Sequence, residues 1–241
     1  MCPRFFHIER SNALPGIVSA FFDESGQENS YTADTKYYLL TVVLHDQGNP
    51  ITDIIRQYEN DLARASLPDV PFHAYDLFHA RGDYHGIDFA TRKRLFAKFS
   101  GLVRRMPITY KSFAYKRAEY QASGALSERM RRDLAEFVRD NLAMFQTYDT
   151  VAIYYDGGQR AARAAIHGAF DEMLSVNTAE YKNLRYQERK LAQAADFFCS
   201  IELAALRYAN HEETSTYLKL FGGARQFKAN HLKQVRRKLY Q

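Results

Sequence analysis

The chain has 241 residues with 46% hydrophobic and 25% charged content, enough to bury a sizeable core and unlike a disordered or fibrous composition. Its 33 Lys and Arg against 28 Asp and Glu leave a net charge of +5, a mild excess that suits a polyanionic partner without specifying one. No run approaches the roughly 20 apolar residues of a bilayer span, the stretch MCPRFFHIERSNALPG has no secretory apolar core, and Cys2 and Cys199 form no CxxC or paired framework, so a membrane-free, cytoplasmic setting is expected.

The first predicted strand is 17–23, within IVSAFFDESG (17–26); it is apolar almost throughout, as a strand covered on both faces should be. A second strand, 37–44, is rich in aromatic and β-branched residues. A helix follows over 51–64. Residues 71–86 are mixed, with three histidines and a turn at Arg81-Gly82-Asp83. A basic helix is predicted over 88–105, ended by Pro107, and a third strand over 108–115.

From 125 to 146, Leu126, Met130, Leu134, Phe137, Val138, Leu142 and Phe145 recur every three or four positions, the pattern of a one-faced helix. A strand at 150–155, a helix near 160–173 and a short strand at 183–188 come next. The helix 190–209 is apolar nearly all round and should be largely buried. Strands alternating with helices in the second half imply parallel pairing and an α/β layered fold. With no repeat, low-complexity tract or linker, one domain is expected, with its core at about 17–210 and a basic helical extension at about 222–241.

Three acids stand in apolar surroundings. Asp23 ends the first strand, Asp156 ends the strand in TVAIYYDGG (150–158), and Asp196 sits in LAQAADFFCSIELAAL (191–206). In α/β sheets, sites form beyond the carboxyl ends of strands. If strands 17–23 and 150–155 are neighbours about 4.8 Å apart, Asp23 and Asp156 approach each other and repel unless a cation intervenes. A hard Mg²⁺ or Mn²⁺ ion resolves that repulsion and leaves positions for phosphate oxygens. Asp196 needs a cation, a donor network or a metal, because an unpaired carboxylate there costs several kcal/mol. Gln193, one turn earlier, shares its face.

Plainer readings stand beside each. Asp23 suits a cap on the Ser25-Gly26 turn, Asp156 suits the turn at Gly157-Gly158, and Asp196 suits a salt bridge. Glu24 faces the site only if the strand has already ended, because side chains alternate along a strand.

The set FFDESGQ, FHAYDLF, IYYDGGQ and KLAQAADFFCSIE resembles the domain-of-unknown-function family 3800 over about 17–205. That family is similar to the RNase H-like superfamily. The resemblance implies a mixed central sheet flanked by helices, with acids on parallel first and fourth strands and another on a late helix. By position it makes Asp23, Asp156 and Asp196 metal-binding acids, with Glu24 a fourth candidate. Leu191-Ala192 and the helix at 49–64 depart from the pattern.

His73, His79 and His85 are spaced by six, which puts no two on one helical face and disfavours zinc. His73, in the family's mid-region motif, suits proton transfer or phosphate contact, or a hydrogen-bonded structural role. Asp76 orients it or caps the following turn.

Residues 89–118 hold nine Lys or Arg and no acid, among them Arg92, Arg94, Arg104, Arg105 and Lys111, with Tyr110, Phe113 and Tyr115 interleaved. Residues 224–241 add Arg236 and Arg237, again without an acid. Such clusters suit a phosphate backbone and unpaired bases, or form solvated faces. The function expected is a divalent-metal-dependent nuclease of DNA or RNA. The alternative is a non-catalytic nucleic-acid-binding protein of the same fold.

Overall fold

The computed structural model describes residues 16–26, 36–155, 159–174, 179–182 and 186–240, with the side chains of 186–188 left out. Five strands form one mixed sheet: β1 Ile17–Ser25, β2 Tyr37–Asp46, β3 Ile108–Lys116, β4 Thr150–Tyr155 and β5 Ala179–Tyr181. Their spatial order is β3-β2-β1-β4-β5. β1 runs antiparallel to β2 and β2 antiparallel to β3. β4 is parallel to both β1 and β5. The alternation of strand and helix in the second half had predicted that parallel pairing.

β1, β2 and β4 are apolar on both faces because each face is covered. On one side lie α1 Thr52–Arg64, α2 Ala74–His79, α3 Phe89–Arg105, α7 Tyr186–Ala209 and α8 Ser215–Phe221. They bury Phe21, Val43, Tyr110 and Tyr154 of the sheet. On the other side α4 Ala125–Asp140, α5 Leu142–Phe145 and α6 Arg160–Met173 cover Val18, Ala20, Phe22, Leu40 and Ile153. Alternation of side chains along β1 thus assigns odd positions to the α7 layer and even positions to the α4–α6 layer.

The α7 layer is knit by aromatic rings. Phe72 stacks on Phe99 with centroids 4.2 Å apart and meets Phe197 edge-on at 5.7 Å. Tyr110 of β3 stacks on Phe198 at 4.0 Å. Full burial of each such ring stabilises by about 1.5–3 kcal/mol, and together they fix how α7 lies on the sheet.

Three predicted boundaries move. The helix foreseen over 125–146 breaks at Asn141, whose Nδ2 donates to Phe137 O at 2.7 Å. That side chain satisfies a terminal carbonyl, and the chain restarts as α5. Of the short strand expected at 183–188, residues 183–185 lie outside the described residues and 186–188 belong to α7, which begins at Tyr186; a short strand, β5, stands at 179–181. Gln187 to Lys190 continue the helix with good helix formers. The first strand does not stop at Asp23 but continues to Ser25, because β2 still pairs with it: Asp23 with Thr41, Glu24 with Leu40, Ser25 with Leu39.

The expected basic C-terminal extension is a series of short segments: α9 Ala224–Phe227, a π turn Lys228–Leu232, α10 Lys233–Val235 and a 3-10 turn Arg236–Lys238. It returns to the sheet, where Tyr240 N donates to Tyr110 O at 2.8 Å. Among the described residues no helix is long and apolar enough to cross a membrane.

Candidate carboxylate site

Asp23 projects from the α7 face of β1, two residues beyond buried Phe21. Among the described residues the parallel register of β1 with β4 runs as far as Phe22 opposite Tyr155, and Asp23 is the next residue of β1. Burial pushes its carboxyl well above the usual range, and the Asp196 carboxylate pushes it further, with Glu24 a smaller contributor. A strand and a helix far apart in sequence thus bring two like charges together.

Asp196 sits on the face of α7 that packs on β1 and β2, between buried Ala195 and Phe197. It keeps some solvent exposure, yet the surrounding packing is dense enough to drive its carboxyl up to about 6. Burial is the largest cause; the Ala74 N–H and His73 act against it, and Asp76 adds to it. The Ala74 N–H donates to Asp196 Oδ2 at 2.8 Å. Among the described residues no lysine or arginine pairs with Asp23 or Asp196, so the salt-bridge reading of Asp196 fails. Two carboxyls are thus held together where burial disfavours charge.

Two α7 side chains flank the pair. Gln193 Oε1, one turn before Asp196, is buried with no hydrogen-bond partner. The Cys199 thiol, one turn after Asp196's neighbour Ala195, is pushed well up by burial and then by Asp23, while a hydrogen bond with Thr41 acts the other way. Thr41 is anchored in turn by Ser112, with Oγ atoms 2.7 Å apart.

Glu24 falls on the opposite face. Alternation turns it toward α6, where Tyr155 and Gln159 hydrogen-bond its carboxylate. Burial raises its pKa and those bonds partly restore it; Oε2 has no partner. The reading that put Glu24 beside the other acids required the strand to end before it. The β2 ladder keeps it extended instead. Gly26 then turns the chain at φ +110, where a Cβ would lie 2.7 Å from Tyr37 O; only glycine fits that approach.

His73 caps α2 and is more than half exposed. Its Nδ1 accepts from Asp76 N at 3.4 Å and lies 3.3 Å from Asp76 Oδ2. Of the two offices foreseen for Asp76 the described contacts show the one beside His73; the following turn, headed by Arg81, has no side-chain cap. Gly82, at φ +50, closes over Asp76: a Cβ there would stand 2.6 Å from Asp76 Oδ2. Tyr84, whose hydroxyl donates to Pro71 O at 3.2 Å, lies within electrostatic range of Asp196. The sequence marked the turn at Gly82 but not its approach to Asp76, and no sequence signal marked Tyr84 or the Ala74 N–H, whose contacts with Pro71 and Asp196 are made only in the folded chain.

Asp156 lies outside the described residues. Among the described residues no three His, Cys, Asp or Glu side chains form a group able to hold a metal ion.

The basic residues divide by what they hold. Arg92 donates to the carbonyls of Leu77, Phe78 and Ile87, the last two at 3.1 Å. Arg94 reaches Ala65 O at 2.9 Å, and Arg104 reaches Gln234 Oε1 at 2.7 Å. Arg105 lies 3.7 Å from Asp61, and Arg236 lies 2.8 Å from Glu202, which also accepts from Tyr110 OH at 2.7 Å. Lys111 is half-buried on β3 and Arg237 is exposed.

The chain is thus an α/β protein in which Asp23 of the mixed five-stranded sheet and Asp196 of the long helix packed on it come together, with no lysine or arginine paired to either among the described residues. No family model, no curated protein and no solved structure matches it.

Proposed function

We propose that the protein is a divalent-metal-dependent nuclease, or a close phosphoryl-transfer relative, on an RNase H-like fold of the family-3800 kind. The single observation that carries this is the approach of Asp196 on α7 to Asp23 on β1, two carboxyls raised chiefly by burial, Asp23 further by Asp196, with no lysine or arginine paired to either among the described residues. A parallel β1–β4 pair and a late helix packed on β1 and β2 agree with the architecture the resemblance implies.

The donor set fits a hard ion. Asp23, Asp196 and the unpartnered Gln193 Oε1 offer oxygen only, the preference of Mg²⁺ and Mn²⁺. Asp156, by the resemblance, is the third carboxylate. Such an ion activates water and stabilises the leaving oxygen in phosphodiester hydrolysis. The Ala74 N–H fixes the Asp196 carboxylate, Phe197 and Phe72 exclude water behind it, and His73 is positioned to move a proton at the rim. DNA or RNA is the partner on this reading, in a cytoplasmic setting.

The test is cleavage of labelled DNA and RNA with Mg²⁺ or Mn²⁺ by wild type, Asp23→Asn, Asp156→Asn and Asp196→Asn. Each variant should lose more than about 100-fold, beyond the loss typical of residues that merely support a ligand. Equal cleavage by wild type and variants rejects the proposal.

The position of Glu24 on the far sheet face favours a second reading, because it leaves fewer acids on the α7 side. That reading is a nucleic-acid-binding protein without turnover. It predicts salt-sensitive binding and no metal-dependent cutting.

A further inference from the structure

Tyr75 follows Ala74, the residue whose N–H holds Asp196, and it is the most exposed of the large hydrophobic side chains on the described surface, at 51%. It does not stand alone. His79, one turn along α2, meets its ring with centroids 4.6 Å apart. Ala80 ends α2 in the left-handed region at φ 54, which turns the chain so that the Arg81 guanidinium lies 5.3 Å from the Tyr75 centroid. A tyrosine, a histidine and an arginine thus form one surface cluster beside the carboxylates.

The cluster's electrostatics are those of an anion-receiving surface. Burial lowers the His79 pKa, and Arg81, Arg92 and Arg207 lower it further in that order. Three guanidinium groups therefore make the surroundings of His79 positive, with Arg81 lying at the Tyr75 ring itself, although the Asp196 carboxyl is held by the N–H of the preceding residue. A phosphodiester strand meets both needs: its backbone is drawn by the arginines, and its bases have π faces for an exposed ring. A base inside a duplex has both faces covered by its neighbours, so only an unpaired base has a face to give.

We infer that Tyr75, framed by His79 and Arg81, is a stacking platform for an unpaired nucleobase and makes single-stranded nucleic acid the ligand class of this site. The inference rests on the nucleic-acid reading above and deepens it. It does not require turnover. Tyr75 acts as a specificity-determining contact, and Arg81 supplies the charge that sets the strand across α2.

The chain contains no tryptophan, so Tyr75→Trp installs a sole indole at the platform. Titration with fluorescein-free oligothymidylate and oligouridylate of about 12 nucleotides, in EDTA and again in Ca²⁺, should quench its fluorescence. A duplex of the same length should quench far less. By anisotropy with labelled strands, Tyr75→Ala should bind roughly 5- to 150-fold more weakly, the worth of one stacked base, while Tyr75→Phe stays near wild type. Unchanged affinity in Tyr75→Ala, no quenching in either buffer, or equal quenching by duplex or by heparin overturns the inference. Metal-dependent cleavage that survives Tyr75→Ala undiminished on single strands sinks the platform alone. Quenching without any cleavage by wild type sinks the hydrolytic reading alone and leaves the platform standing.

Discussion

Ala74 donates its backbone N–H to Asp196 Oδ2 at 2.8 Å, across 122 residues of sequence. The bond ties the first turn of α2 to the middle of α7 and gives the Asp196 carboxylate a donor it finds nowhere else on α7. It opposes, but does not cancel, the burial that raises Asp196 to about 6. A carboxyl whose folded pKa lies above its unfolded value of about 3.9 binds a proton in the native state before the unfolded state does. Stability is then highest at low pH and declines as pH rises from about 4 through 6.

Asp196→Asn should remove that decline. The amide oxygen still accepts from Ala74, and the charge is gone. In metal-free buffer, wild type should lose about 2–3 kcal/mol between about pH 4 and pH 8 from this group, with Asp23 adding in the same direction. The variant should be flatter and more stable than wild type at about pH 8. Urea melts at several pH values measure it; parallel curves for the two proteins contradict it.

Tyr155→Phe should separate Glu24 from the other acids. Tyr155 and Gln159 hold the buried Glu24 carboxylate closer to its ordinary range. Loss of the hydroxyl raises the Glu24 pKa again and costs about 1.5–3 kcal/mol, the range for a hydrogen bond to a charged group. The cost should be larger at about pH 8, where Glu24 is ionised in the unfolded chain, than at about pH 4, where protonation relieves it. A pH-independent loss would show that the bond does not touch the charged form.

Gly82→Ala should disturb His73 at a distance. The backbone there is left-handed, and the new Cβ would stand 2.6 Å from Asp76 Oδ2. The strain alone is about 1–2 kcal/mol, and relief requires the carboxylate to move away from His73. NMR should report a shifted His73 imidazole resonance with the other histidines little changed. An unperturbed His73 signal would mean that Asp76 does not orient it.

Arg92 and Arg237 should part company. Arg92→Gln leaves three backbone carbonyls short of a donor and should cost about 1–3 kcal/mol of stability. Arg237 is exposed, so Arg237→Gln should stay within about 0.5 kcal/mol of wild type. If Arg237 meets a phosphate, its loss lowers the slope of log affinity against log salt by about one. Thermal melts and salt titrations read the two effects separately.

Much of the fold was legible in particular residues. IVSAFF, YYLLTVVL and TVAIYY are apolar at all but one position each, which marks strands covered on both faces, and the helix before β4 favours a parallel return. The acids were conspicuous because carboxylates in apolar runs demand an explanation. The face of Glu24 was hidden, because the length of β1 depends on a partner strand, not on its own residues. The role of Arg92 was hidden for the same reason: a basic run looks alike whether it faces solvent or the carbonyls of another helix.

By itself the sequence determined a layered α/β chain, the strands and their apolar faces, and the isolation of Asp23 and Asp196 among hydrophobic neighbours, since periodicity and local composition are properties of short segments. Only the tertiary structure decided that Asp23 meets Asp196 while Glu24 turns to Tyr155, that Ala74 supplies the donor, and that Arg236 is held by Glu202. Those outcomes depend on strand register and helix docking, which are set by many weak contacts between segments far apart in the chain.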